Sequence, residues 1–164
     1  MKLSVSIPVS IPLLTAYDRL RAWTQSLPSH YLDWAPGHEA FMVLSGKSAV
    51  EKMPSFEFRE RIGPLALVVC ASVTEIEPPH RIAWKATSVK AMMLYVSLPA
   101  VVVSGAFLLS PTASTASILT QSLNIALAHP SALGDLFLWS FARLLIYPHL
   151  RREVCKLGSV LEAG

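Results

Sequence analysis

Residues 56–86 read Phe56-Glu57-Phe58-Arg59-Glu60-Arg61-Ile62-Gly63-Pro64, then an apolar run from Leu65 to Glu77, then Pro78-Pro79-His80-Arg81-Ile82-Ala83-Trp84-Lys85-Ala86. Successive side chains of a strand point to opposite faces, so Phe56, Phe58 and Glu60 share one face while Glu57, Arg59 and Arg61 share the other. Gly63-Pro64 turns the chain, and residues 65–75 form the expected return strand. The turn Glu77-Pro78-Pro79-His80 leads into a third strand, 81–86, which carries Trp84. The middle of the chain is therefore an antiparallel meander.

Upstream, residues 3–7 predict a strand, and Pro12 opens a helix over 13–26, because its missing N–H is not needed in a first turn. Leu13, Tyr17, Leu20 and Trp23 recur there at helical spacing. Pro28 is expected to end that helix, leaving 29–37 as a second short helix or an irregular rim. A strand follows over 41–45, with Gly46 as its turn. Downstream, strands are expected over 96–109 and 116–127, joined by a hairpin connection at 110–115. Helical periodicity begins at Ala132 and runs to Ala163, interrupted by Pro148, which either kinks the helix or starts a new one. Both cases put His149, Glu153, Leu157 and Val160 on one face. The reading is an α+β fold in one domain, 1–164, with a curved antiparallel sheet of about six strands covered by a long C-terminal helix.

Hydrophobic residues make up 52% of the chain and charged residues 15%, against about 25% charged in a typical soluble domain. This apolar excess can line an internal cavity, cover a homodimer contact or face a membrane surface. Fourteen basic and eleven acidic residues give +3, scattered apart from Arg151 and Arg152. No basic stripe suits a phosphate backbone, which argues against nucleic acid as a partner. Cys70 and Cys155 form no CxxC and no dense framework, so a reduced, cytoplasmic setting is expected. Residues 1–16 alternate like a strand entering a turn. Residues 91–109 have the length of a membrane span, but Pro99, Gly105 and β-branched residues favour one long buried strand or two, so no obligate span is expected.

His149 and Glu153, one helical turn apart, can face a pocket together as ligands or catalytic groups, the alternative being a surface pair beside Arg151 and Arg152. Glu60 shares the apolar face of Phe56 and Phe58, where a carboxylate is costly unless paired or bound to metal. His38 ends a loop containing Pro36 and Gly37, a suitable place for a positioned group at a cavity mouth. His30 is its substitute, and His80 and His129 rank lower. Trp34, Phe58, Trp84, Tyr95 and Trp139 are the candidate cavity lining, with Phe41 beside them. Each is also explicable as ordinary core.

The element order, the phrase Glu77-Pro78-Pro79-His80-Arg81-Ile82-Ala83-Trp84 and the C-terminal helix together resemble the helix-grip fold of the START/Bet v 1-like superfamily, also called SRPBCC or polyketide cyclase-like proteins. The resemblance covers almost the whole chain and implies a cavity for a hydrophobic small molecule between sheet and helix. A narrower likeness is to the zinc-dependent diacetylphloroglucinol hydrolases, which cleave an acyl group from a polyphenol ring. Their metal is held by two histidines and two glutamates, one His-x-x-x-Glu pair lying on the C-terminal helix. His149-Leu150-Arg151-Arg152-Glu153 matches that pair, and His38 and Glu60 are the positions the resemblance implies for the other two. The cofactor so implied is zinc or another divalent metal. The implied function is a metal-dependent hydrolase or lyase acting on an aromatic or polyketide-like compound, including C–C cleavage of an acylated phenol. A metal-free ligand-binding protein, cyclase or dehydratase using the same cavity is its rival. Cleavage also needs a proton donor, for which Glu57, Tyr147 and His30 are the candidates.

Overall fold

The computed structural model describes residues 1–45 and 54–164; Gly46, expected to be a turn, lies outside them. In chain order the elements are β1 (Lys2–Val9), α1 (Leu13–Trp34), β2 (His38–Ser45), β3 (Ser55–Ile62), β4 (Leu65–Glu77), β5 (Arg81–Met93), β6 (Val96–Ser97), β7 (Val101–Ala113), β8 (Ala116–Leu127), α2 (Ala132–Phe141) and α3 (Tyr147–Ala163). The strands form one antiparallel sheet in the order β1-β8-β7-β5-β4-β3-β2, with β6 paired to β5. It is a helix-grip fold: the open, curved sheet wraps around the long C-terminal helix α3.

Alternation sets which strand face meets the helices. In β1, Leu3, Val5 and Val9 are buried while Lys2, Ser4 and Ser6 are exposed. α3 buries Leu150, Val154, Leu157 and Leu161, a stripe at helical spacing. It packs on Ala16, Tyr17 and Leu20 of α1 and on β1. Gly158 permits that approach, since a Cβ there would lie 2.2 Å from Ile7 Cδ1. His149 and Glu153 sit on one flank of the stripe and are buried, whereas Val160, expected on the same face, is 42% exposed. That flank meets the molecule's interior only along the first half of α3.

Two expectations change in α1 and between β5 and β7. Pro28 does not end α1, which continues through it to Trp34. The lost backbone hydrogen bond is outweighed by tertiary packing: Tyr31 and Trp34, in phase with Tyr17, Leu20 and Trp23, are buried by the continuation. The strand expected over 96–109 is divided into β6 and β7. Leu94 and Tyr95 have φ of +49° and +70° and turn the chain after Met93, and Pro99 lacks the N–H needed to extend a ladder. β7 then runs on to Ala113, narrowing the hairpin connection to Ser114 and Thr115. β5 also runs past Ala86 to Met93. β5 meets β7 only through residues 81–85 against 104–108, and beyond that stays with β4. The sheet forks there, which leaves volume between its inner face and the helices. No helix among the described residues is long and apolar enough to cross a membrane.

At the C-terminal helices, α2 passes into a π-helical segment, Ala142–Ile146, before α3 begins at Tyr147. Tyr147 N–H donates to Ala142 O, five residues back, and Pro148 falls in the first turn of α3. The backbone stays helical from Ala132 to Ala163, and the π-helical turn just before Pro148 is where the helix accommodates the proline, so no separate helix starts there.

Candidate functional site

Between the inner face of the sheet and the helices lies a cavity of about 540 Å³, within the range of small-molecule sites. Its wall is aromatic and aliphatic, and the stacked rings of Phe41, Phe56 and Phe58, with Trp84 edge-on to Phe58, form one side. Its polar end consists of Tyr31, Glu60, Gln121, His149 and Glu153.

Four side chains converge at this end. His38 and Glu60 are opposite each other across the β2–β3 ladder, and His149 and Glu153 are one turn apart on α3. One ligand atom from each lies within 4.8 Å of the others. All four are buried, at 5–9% exposure. Gly37 aims His38: its φ of +97° lets the chain turn tightly against Arg61, and a Cβ there would collide with Arg61 O. Arg61 N–H donates to Gly37 O at 2.7 Å, which fixes β2 to β3 at this point.

Tyr31 organises the two strand residues. Its ring stacks on His38 with centroids 4.1 Å apart, its hydroxyl donates to Glu60 Oε1 at 2.6 Å, and its carbonyl is 2.7 Å from His38 Nδ1. A carbonyl only accepts, so Nδ1 carries the proton and Nε2 is directed to the centre. There His38 Nε2 stands 2.8 Å from Glu153 Oε1 and 3.5 Å from Glu60 Oε1. A bare imidazole lone pair does not belong against carboxylate oxygens; a proton or a cation must lie between them. His149 Nε2 is 3.2 Å from Glu153 Oε1 and 3.9 Å from Glu60 Oε2, yet has no hydrogen-bond partner. Trp34 Nε1–H donates to the Glu153 backbone carbonyl.

The two carboxylates respond to this crowding in opposite directions. Burial, and then the charge of Glu153, push the Glu60 carboxyl up to about 7. Burial also acts to raise Glu153, but the neighbouring imidazoles of His149 and His38 outweigh it and hold Glu153 below its ordinary value. For His149, burial opposes the charged form, while Glu153 and then Glu60 outweigh it, leaving the imidazole raised. Burial and the charge of Glu60 raise Tyr31, keeping it a neutral donor.

These residues fit a divalent cation. Two imidazole nitrogens and two carboxylates suit zinc, one histidine is oriented by a carbonyl on its far nitrogen, and the other offers an orphaned buried nitrogen.

Several expected site residues lie elsewhere. Trp34, Phe58 and Trp84 border the cavity. Tyr95 is 95% exposed at the turn after β5, and Trp139 is 49% exposed on the outer side of α2, stacked beneath the Arg143 guanidinium. Both are displaced from the cavity because their elements turn outward there. Tyr147 belongs to the same outer surface as Trp139. Glu57 is on the outer sheet face, paired with Arg59 at 3.0 Å, as its alternation with Phe56 and Phe58 requires. His30 is exposed on α1. None of Glu57, Tyr147 and His30 borders the cavity, so they are corrected as proton donors. Sequence reasoning missed Tyr31 and Gln121. The period of α1 reaches Tyr31 once it is carried through Pro28, and Gln121 is in phase with Leu119, Leu123 and Ile125.

No protein-family model matches the sequence, and no curated protein matches it. Solved structures do. A protein of Thermus thermophilus superposes with a TM-score of 0.70 at 12% identity, covering 99% of this chain and 98% of that one. The Zhui aromatase/cyclase of Streptomyces sp. R1128 gives 0.71 at 11%, covering 99% and 93%. Norcoclaurine synthase of Thalictrum flavum, as a point mutant with a transition-state analogue, gives 0.70 at 9%, covering 98% and 93%. Similarity at these identities carries the helix-grip fold and singles out no branch within it.

Proposed function

We propose that this protein binds an apolar, ring-bearing, polyketide-like small molecule in the cavity and promotes proton transfer on it at the Glu60–His149–Glu153 end, as a cyclase or dehydratase does. The observation that carries this is a cavity of about 540 Å³ with an aromatic wall and titratable groups gathered at one end. The aromatase/cyclase and the norcoclaurine synthase among the similar structures support this reading over hydrolysis.

The chemistry follows from the geometry. A carboxyl near 7 is suited to take a proton from a carbon beside a ring carbonyl and to return it at neutral pH. His149, favoured in its protonated form and 3.9 Å from Glu60, is the imidazole bordering the cavity and serves as donor to the oxyanion that develops. Tyr31 holds Glu60 in place. The test uses 2-tetralone in deuterated buffer: the wild type is expected to accelerate deuterium entry at C1, and Glu60→Gln to lose that acceleration. Equal rates in both proteins contradict the reading.

A second reading is favoured by the convergence of four ligand atoms. His38, Glu60, His149 and Glu153 would hold a divalent ion, zinc by the nature of the donors. When bound, such an ion supplies Lewis acidity toward a substrate carbonyl oxygen. The function is then a hydrolase or lyase, of which C–C cleavage of an acylated phenol is the specific form. Elemental analysis of protein purified without a histidine tag separates the two. About one zinc per chain supports the second reading, and none after reconstitution and desalting contradicts it.

A further inference from the structure

Gln121 lies on β8 in phase with Leu123, Ile125 and Leu127, so the pleat delivers a carboxamide to the end of an otherwise aliphatic row bordering the cavity. It is 5% exposed. Its neighbour sets the orientation of the amide. A Glu153 carboxylate only accepts, so Nε2 turns to Glu153 Oε2 at 3.5 Å and Oε1 is directed away from it. Oε1 has no hydrogen-bond partner. Among the described cavity-bordering side chains, His149 Nε2 is the other buried polar atom left unpaired, and it faces the other oxygen of the same carboxylate. A buried acceptor left unpaired is unfavourable, and Leu or Met at this position would carry none.

We propose that Gln121 is a specificity-determining residue whose Oε1 accepts a hydrogen bond from a hydroxyl on the ring-bearing ligand. The cavity then selects phenols and enols over the corresponding ethers. The chemistry is one-sided. A hydroxyl satisfies Oε1, whereas an ether or a bare ring leaves it unpaired and an ether oxygen also sets lone pair against lone pair. Sites built around a polar contact reject analogues lacking it more strongly than apolar pockets reject analogues of altered size. This inference rests on the cavity reading above, and it assigns to Gln121 the discrimination between ligands rather than the proton transfer.

The test is calorimetric titration of the wild type and Gln121→Met with two probes, 2-naphthol and 2-methoxynaphthalene. The wild type is expected to favour 2-naphthol by about tenfold, the worth of one such hydrogen bond. Gln121→Met is expected to bring the two affinities within about twofold, chiefly by weakening 2-naphthol. Its ligand-free melting temperature checks that the variant is folded, since the Nε2 contact with Glu153 is lost together with Oε1. Its zinc uptake should match the wild type, which separates ligand recognition from support of Glu153. Gln121→Leu is a second variant with the same expectations. A wild type that binds both probes equally, or a preference unchanged in both variants, overturns the assignment while leaving the cavity reading intact. Failure of 2-naphthol to bind the wild type overturns the cavity reading and this inference with it.

Discussion

Tyr31 Oη donates to Glu60 Oε1 across 2.6 Å, joining the C-terminal half of α1 to the strand carboxylate at the polar end of the cavity. The bond is buried, and it fixes a carboxyl that would otherwise face an aromatic wall. Tyr31→Phe keeps the stack on His38 but removes the donor. The expected result is a loss of about 1–3 kcal/mol in urea denaturation. Because that hydrogen bond favours the ionised carboxylate, the Glu60 titration should also move to higher pH in the variant. An unchanged denaturation midpoint together with an unchanged titration contradicts this role.

Glu60 and Glu153 share the centre as like charges, and burial raises the cost of having both ionised. Glu60→Gln removes one charge and keeps an acceptor for Tyr31. In chelator-treated protein it is expected to raise the melting temperature by about 2–4 °C, the effect of roughly 1 kcal/mol in a domain of this size. Zinc uptake should fall at the same time. A lower melting temperature in the variant would show that Glu60 is held by attraction rather than repelled.

The pH dependence of the chelator-treated protein has a defined sign. Glu60 at about 7 lies above its ordinary 4.5, so its contribution to stability is complete below about pH 4.5 and is lost as pH rises through 7. His149 is also raised; its contribution is present below its ordinary 6.5 and is lost as pH rises through the folded value. Glu153 is lowered, so its contribution is present above 4.5 and is lost only as pH falls through its depressed value. Melting temperature should therefore decline from about pH 5 to pH 8. Added zinc should restore it most at the alkaline end, where the ligands have shed their protons. A profile that rises toward pH 8 without metal contradicts this balance of charges.

Gly37 turns the chain into His38 at φ +97°, with Arg61 O where a Cβ would stand. Gly37→Ala is expected to cost more than about 1 kcal/mol, from the positive φ and the collision together. It should also weaken metal uptake by displacing His38 from its partners. Urea denaturation and zinc titration check both, and a wild-type result in each would show that the turn has slack.

Much of this arrangement is legible in the residues, and the failures have physical causes. The alternation Phe56, Phe58, Glu60 puts a carboxylate on the inner face, and the His149–Glu153 spacing puts two more groups on one side of α3. Register across β2–β3 then brings His38 opposite Glu60, a pairing that no local pattern in 38–45 specifies. Pro28 conceals Tyr31, since local propensity ends the helix where the packing of Tyr31 and Trp34 continues it. Tyr95 and Trp139 fail for the opposite reason. Aromatic rings suggest a cavity lining, but which way a turn or an amphipathic helix faces is decided by the neighbours it meets. Gln121 was legible by its phase with Leu119 and Leu123 but carried no motif to draw attention to it.

On the function proposed above, the cavity beside the histidine–glutamate cluster takes an apolar ring. Calorimetric titration of 2-naphthol into the wild type and into Leu123→Trp, which fills the cavity from β8, tests this directly. The expected result is 1:1 binding with a negative heat-capacity change in the wild type, the mark of buried apolar surface, and loss of that binding in Leu123→Trp. Absence of binding to the wild type, or equal binding by the filled variant, would contradict it.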